Sequence, residues 1–255
     1  MSSNAASSLQ LTNGLTLTLR SPQQRACAEF IAKEVFRNGA YRRAGFEIRP
    51  TDVVVDIGAN MGIFALWAAP QAKEGRVICI EPTKVIECLE LSLPQSGLRN
   101  VTIVKCAIAD QRGTIELLEY AGFTAVSHSA AFQPSHWGQF FINLMWRKHQ
   151  AQPVKVSCPC CRIEDVLAEQ DITQVDLLKI DCEGGEYAIF DSISAETLAL
   201  VSRIAMEFHE LHPSHNHRRI VQRLEKAGFD VQVERPWFER FFLKTGMIWA
   251  SRKSA

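Results

Sequence analysis

The chain lacks an excess of charge of either sign: 28 Lys and Arg balance 28 Asp and Glu, for a formal net charge of zero. A nucleic-acid groove rests on clustered Lys and Arg, so no nucleic-acid partner is expected. Long apolar runs are missing too, and none reaches the roughly 20 residues that span a bilayer. The opening Met-Ser-Ser-Asn-Ala-Ala-Ser-Ser has no apolar stretch of the signal-peptide kind. Residues 1–8 therefore read as a disordered tail, and the chain as cytoplasmic with no membrane partner. Cys158-Pro159-Cys160-Cys161 has no second Cys pair to complete a zinc site, which is usually built from two limbs. Without a secretory signal the eight cysteines are expected as reduced thiols, with Cys79, Cys106 and Cys182 packed inside apolar strands. The fingerprint G-x-G-x-x-G is also absent, which argues against a nicotinamide oxidoreductase.

What is present is ordinary globular composition, 47% hydrophobic and 22% charged over 255 residues, enough for a single domain over 9–255. Its organising stretch is Val53-Val54-Val55-Asp56-Ile57-Gly58-Ala59-Asn60-Met61-Gly62, followed by the apolar run Ile63 to Ala69. A β-branched run, a glycine turn and a helix make the opening of an α/β nucleotide site. Gly58 and Gly62 are expected where a Cβ would strike ligand or turn. Asp56 would repel a pyrophosphate but attract an ammonium, while Asn60 and a helix N-terminus suit a carboxylate. A cation beside an anion is the signature of an amino acid, and S-adenosylmethionine is an amino acid joined to a nucleoside. Glu81, ending the next strand, Arg76 to Ile80, lies about twenty residues past the turn, where an acid accepts hydrogen bonds from ribose hydroxyls.

Downstream, residues 9–20 alternate around Asn13-Gly14 and predict a small N-terminal hairpin. Residues 22–37 read as a helix with Ala26, Phe30, Ile31 and Val35 inward, and Tyr41 to Phe46 as cover for a cofactor pocket or as core. A third strand is expected over 101–108, its end beside the adenine. Gly113 to Tyr120 reads as an extra strand. Residues 121–150 carry Phe123, His128, Phe132, Trp137, Phe140, Phe141 and Trp146 and break the pattern. They read as a lid or substrate wall, helical at 137–148, and would equally serve as a homodimer surface. Val175 to Glu186 empties a buried strand into Asp181, Glu183 and Glu186. In Ile204 to His209, Glu207 and His209 fall on one face by the period of two. Two further strands, Phe229–Glu234 and Phe241–Ala250, are expected to close the sheet as an antiparallel pair.

Three blocks, VVVDIGANMGIFAL at 53–66, VICIEP at 77–82 and DLLKIDCEGGE at 176–186, with IAMEF at 204–208, resemble the FkbM-type branch of class I S-adenosylmethionine methyltransferases. The resemblance implies an α/β, Rossmann-like, seven-stranded and mostly parallel sheet with helices on both faces and an antiparallel C-terminal hairpin. It implies S-adenosylmethionine as cofactor and methyl transfer to a hydroxyl of a small molecule, a natural product or sugar. It places Asp56, Gly58, Ala59, Asn60 and Gly62 at the methionine part and Glu81 with Pro82 at the ribose. Ala107 and Ile108 go to the adenine, and Asp181 to the methyl-donor end. An oxygen acceptor must lose a proton, so a base is expected. His209 is the first candidate, Asp181 the second, and Glu207 would orient His209 or hold substrate. A divalent ion on Asp181, Glu207 and His209 is the less favoured variant, as are N- or C-methylation and a non-catalytic binding protein. The run from His209 to His217 is not H-E-x-x-H, and Pro213 interrupts it, so it is expected as a solvated loop.

Overall fold

A computed structural model describes residues 7–120, 123–129, 154–210, 212, 214–235 and 244–252. Ser7–Gln10 (β1) and Thr16–Leu19 (β2) pair antiparallel, with Gly14 at φ +86° supplying the left-handed turn. Ser7 and Ser8, expected in the disordered tail, are strand; the rest of that expected tail, residues 1–6, lies outside the described residues. Arg25–Ala32 (α1) continues into a wider π-type turn over Lys33–Asn38. Ala26 and Phe30 were expected inside, but Cys27, Ala28, Val35 and Phe36 fill the core and Phe30 is 59% exposed. Small Cys27 and Ala28 let the helix lie close on its neighbours, and the wider turn re-phases Val35 and Phe36 inward.

The remaining elements are Val53–Ile57 (β3), Ile63–Ala68 (α2), Arg76–Ile80 (β4), Glu87–Ser96 (α3), Val101–Val104 (β5), Ala107–Ile108 (β6), Gly113–Tyr120 (β7), Phe123–Ser129 (β8) and Val154–Cys161 (β9), then Ile163–Glu169 (α4), Val175–Ile180 (β10), Glu186–Ser192 (α5), Ala195–Ala199 (α6), Val201–His209 (β11), His217–Lys226 (α7), Phe229–Glu234 (β12) and Thr245–Arg252 (β13). Seven strands form one sheet in the order β12-β13-β11-β10-β3-β4-β5. From β11 to β5 every neighbour is parallel, while β13 runs antiparallel between β11 and β12. The chain order reverses between β3 and β10, which opens a crevice at the carboxyl ends of those strands.

The strand expected over 101–108 is two. The chain leaves the main sheet after Val104, and Ala107 and Ile108 pair parallel with Cys160 and Cys161 in a second sheet, β6-β9-β7-β8. Within the aromatic stretch, Phe123–Ser129 is a strand paired with β7. Residues 121, 122 and 130–150, and with them the expected helix at 137–148, lie outside the described residues.

Alternation along the strands builds two cores. Val54, Val77 and Leu177 face α1, α2 and α3, and Val55, Ile78, Leu178 and Ile204 face α4 to α7. Each fully buried side chain of this size contributes about 1.5–3 kcal/mol. A sheet covered on both faces is apolar throughout, so a charged residue inside it needs a partner. Among the described residues no helix is long and apolar enough to cross a membrane.

Candidate active site

Asp56 in β3 and Lys179 in β10 are buried charged residues, and they stand opposite each other in the parallel register. Lys179 Nζ lies 2.9 Å from Asp56 Oδ1 and donates to Gly58 O at 3.0 Å. Burial pushes the Asp56 carboxyl up, opposed by Lys179. Burial would lower Lys179, but Asp56 and Asp181 outweigh it and hold the ammonium above its usual range. The charge of Asp56 is thus spent inside the sheet. Its side chain is fully buried, stands outside the cavity lining and pairs with Lys179.

The two glycines of the turn have different reasons. At Gly58 (φ +79°) a Cβ would sit 1.9 Å from Asp181 O, so the missing side chain lets the ends of β3 and β10 cross. At Gly62 (φ +80°) a Cβ would meet Leu89 at 2.6 Å. Gly62 therefore serves the packing of α2 on α3, and it stands outside the cavity lining. Between them Asn60 takes a left-handed conformation (φ +51°) and presents its N–H to Glu81 Oε2 at 3.0 Å. Glu81 Oε1 accepts from Thr83 N and Oγ1 at 3.0 and 2.7 Å. Burial pushes this carboxyl up, and those donors oppose the shift. The donors fix both oxygens at the mouth of β4 and leave lone pairs for a diol.

At the other side of the crevice β10 and β11 deliver the acids. Asp181 Oδ2 accepts from Tyr41 OH at 3.0 Å, so the segment after α1 does cover the pocket. Glu183 (φ +49°) turns back toward His209, its Oε2 3.4 Å from Nε2. Glu207 Oε1 lies 3.7 Å from the same nitrogen, as the shared strand face requires. Nδ1 of His209 faces Glu186 Oε1 at 3.2 Å. Glu186 is fully buried and accepts from the N–H groups of Cys182 and Gly184, so it is more than the helix-start acid that its position suggests. Burial would lower His209, but Glu183, Glu186 and Glu207 outweigh it and raise the imidazole well above its ordinary value. Burial pushes Glu183 up to about 8, against the attraction of His209.

One cavity of about 1050 Å³ gathers every expected site residue except Asp56 and Gly62. It stands at the top of the roughly 300–1,000 Å³ usual for a ligand site, with room for a nucleoside and a second molecule. Sequence reasoning gave Lys179 and Thr83 no role at the site, read Tyr41 as pocket cover or core, and read Glu186 as a helix-start acid. Lys179 carried a signal: a lysine between Leu178 and Ile180 at the buried end of a strand demands a carboxylate partner. Cys158, Cys160 and Cys161 are buried, as the packing reading expects, with Cys161 Sγ 2.9 Å from Cys106 Sγ beneath β6. The histidines after His209 separate: His215 stacks on Tyr187 at 4.1 Å, and His217 bonds Glu210 at 2.7 Å. They pack rather than forming the wholly solvated loop expected.

The model of the methyltransferase FkbM domain matches residues 56–231. The chain is 27% identical over 225 residues to methyltransferase sdnD of Sordaria araneosa, covering 82% of this chain and 84% of the relative. It is 26% identical over 250 residues to 31-O-demethyl-FK506 methyltransferase FkbM of Streptomyces tacrolimicus, covering 91% and 92%. Among solved structures, methyltransferase FkbM of Methylobacillus flagellatus superposes at TM-score 0.51 and 14% identity, over 84% of this chain and 46% of that one. That likeness concerns the fold.

Proposed function

From the premise that the chain belongs to the FkbM methyltransferase family and is an S-adenosylmethionine-dependent methyltransferase, we propose that it methylates a hydroxyl oxygen of a small molecule such as a natural product or sugar. One observation carries this reading: Asp181, Glu207 and His209 converge in the cavity that also holds the Gly58–Asn60 turn and Glu81. The relative from Streptomyces tacrolimicus, named for a demethylated oxygen, supports oxygen as the accepting atom.

The roles follow the crevice. The ribose hydroxyls donate to Glu81, and Pro82 closes the turn behind it. The methionine part lies along Gly58, Ala59 and Asn60, with the adenine against Ala107 and Ile108. The sulfonium then points toward Asp181, whose carboxylate favours the cation. In-line displacement needs oxygen, methyl and sulfur aligned and water kept away, and fixed groups supply this without reorganising. Because Nδ1 of His209 is held by Glu186, Nε2 is the nitrogen facing the acceptor, between Glu183 and Glu207. The acceptor proton leaves to this imidazole–carboxylate cluster as the carbon–oxygen bond forms.

The test is incubation with isotope-labelled methyl donor and panels of polyhydroxylated and amine acceptors, with product linkage read by NMR. Label on oxygen is expected. Label on nitrogen or carbon alone, with all hydroxyl acceptors inert, would overturn the oxygen assignment.

A further inference from the structure

The acceptor end of the cavity holds more carboxylates than cations. Asp181, Glu183 and Glu207 line it, and Glu186 stands behind. The nearest ammonium, Lys179, is committed to Asp56 at 2.9 Å and stays 3.9 Å from Asp181. Within this group Asp181, Glu207 and His209 each offer one donor atom, and all three atoms lie within 4.8 Å of one another. That spacing allows a single ion to touch all three.

A second observation concerns the imidazole. His209 is buried, 5% exposed, and Nδ1 pairs with a fully buried carboxylate that two backbone N–H groups hold in place. This is the arrangement that fixes a metal-ligating histidine: one nitrogen donates to a carboxylate and the other is aimed into the site. Nε2 is so aimed, with carboxylate oxygens of Glu183 and Glu207 at 3.4 and 3.7 Å, longer than a normal hydrogen bond. The side chains of Asp181 and Glu207 remain 26% and 35% exposed toward the cavity.

We propose that Asp181, Glu207 and His209 bind one divalent cation, of the manganese or magnesium kind, that coordinates the acceptor hydroxyl. Two carboxylates and one imidazole suit Mn²⁺ best among hard cations. A bound cation lowers the pKa of a coordinated hydroxyl and so prepares the nucleophile. The acceptor oxygen forms its bond to the methyl carbon as its proton passes to solvent, and the sulfur–carbon pair returns to sulfur, leaving a neutral thioether. A vicinal diol or catechol, able to chelate, is the acceptor class this favours. The inference rests on the reading of this crevice as the methyl-transfer site.

Chelator-stripped protein is titrated with Mn²⁺ alone and followed by the electron paramagnetic resonance of free Mn²⁺, while S-adenosylmethionine binding is measured separately by calorimetry. One equivalent of bound Mn²⁺ is expected, weakened on the order of 10-fold or more in Glu207→Gln, which alters a half-exposed side chain, and in His209→Gln. Glu186→Gln is expected to weaken it on the order of 10–100-fold. If S-adenosylmethionine binds and Mn²⁺ does not, the metal site is overturned and the methyltransferase reading stands. If Mn²⁺ binds equally to wild type and all three variants, the assignment to these residues is overturned. If Mn²⁺ binds as stated but S-adenosylmethionine does not, the cofactor placement fails and the metal site survives.

Discussion

At the scale of the residue, the site depends on carboxylates placed by specific partners. Glu81 is held by Asn60 N, Thr83 N and Thr83 Oγ1, so its remaining lone pairs are aimed before any ligand arrives. Hydrogen bonds to a charged group contribute about 1.5–3 kcal/mol, so Glu81→Ala should weaken S-adenosylmethionine binding to the folded protein roughly 10- to 150-fold in calorimetry, and the orphaned donors should lower stability by about 1–3 kcal/mol. An unchanged affinity would remove Glu81 from the ribose. The Asp56–Lys179 pair behaves differently, because both charges are buried inside the sheet. Lys179→Met strands a buried carboxylate and should cost about 3–5 kcal/mol in denaturant unfolding. The double variant Asp56→Leu with Lys179→Met should recover most of that loss, and strictly additive costs would contradict the pairing. This is also where sequence reading stopped short. Asp56 was legible as an acid at a strand end. Its partner stands far along the chain, and only the parallel register of β3 and β10 brings the two together. Glu186 was likewise legible as an acid at a helix start, but its hold on His209 needs the fold.

At the scale of the element, strands and their glycine turn were readable because their patterns are local. The β-branched runs of β3 and β10, and the Asn13-Gly14 turn, carry their own signals. The break between β5 and β6 was not readable, since the run from Val101 to Ile108 carries no Gly or Pro to mark it and the switch of sheet is set by pairing with Cys160 and Cys161. Crossing of backbones at Gly58 sets a sharp limit on the turn: Gly58→Ala puts a Cβ against Asp181 O, and should lower both stability and cofactor affinity. Helix α7 supplies the control. Leu224, fully buried on the face of the sheet away from α2, packs without touching the cavity. Leu224→Ala should cost about 2–5 kcal/mol of stability and leave the affinity of the folded protein unchanged. A parallel loss of affinity would mean that the crevice is not set by β3, β4 and β10 alone.

At the scale of the whole molecule, a cofactor lying across the reversal of strand order touches both halves of the sheet. It binds the folded state alone, so S-adenosylhomocysteine at about 100 times its dissociation constant should add about 2.7 kcal/mol. In a chain of this size that shifts the melting temperature upward by about 5–10 °C. The general order of the sheet follows from alternating strands and helices, whereas the acceptor class does not, because the acceptor wall is assembled from β10, β11 and the segment around Tyr41. The most direct measurement is a crystal structure with S-adenosylhomocysteine bound. The expected result places both ribose hydroxyls within hydrogen-bond distance of Glu81, the adenine on Ala107 and Ile108, and the sulfur facing Asp181, Glu207 and His209. A ribose turned away from Glu81, or a sulfur remote from those three side chains, would contradict the placement of the methyl-transfer site.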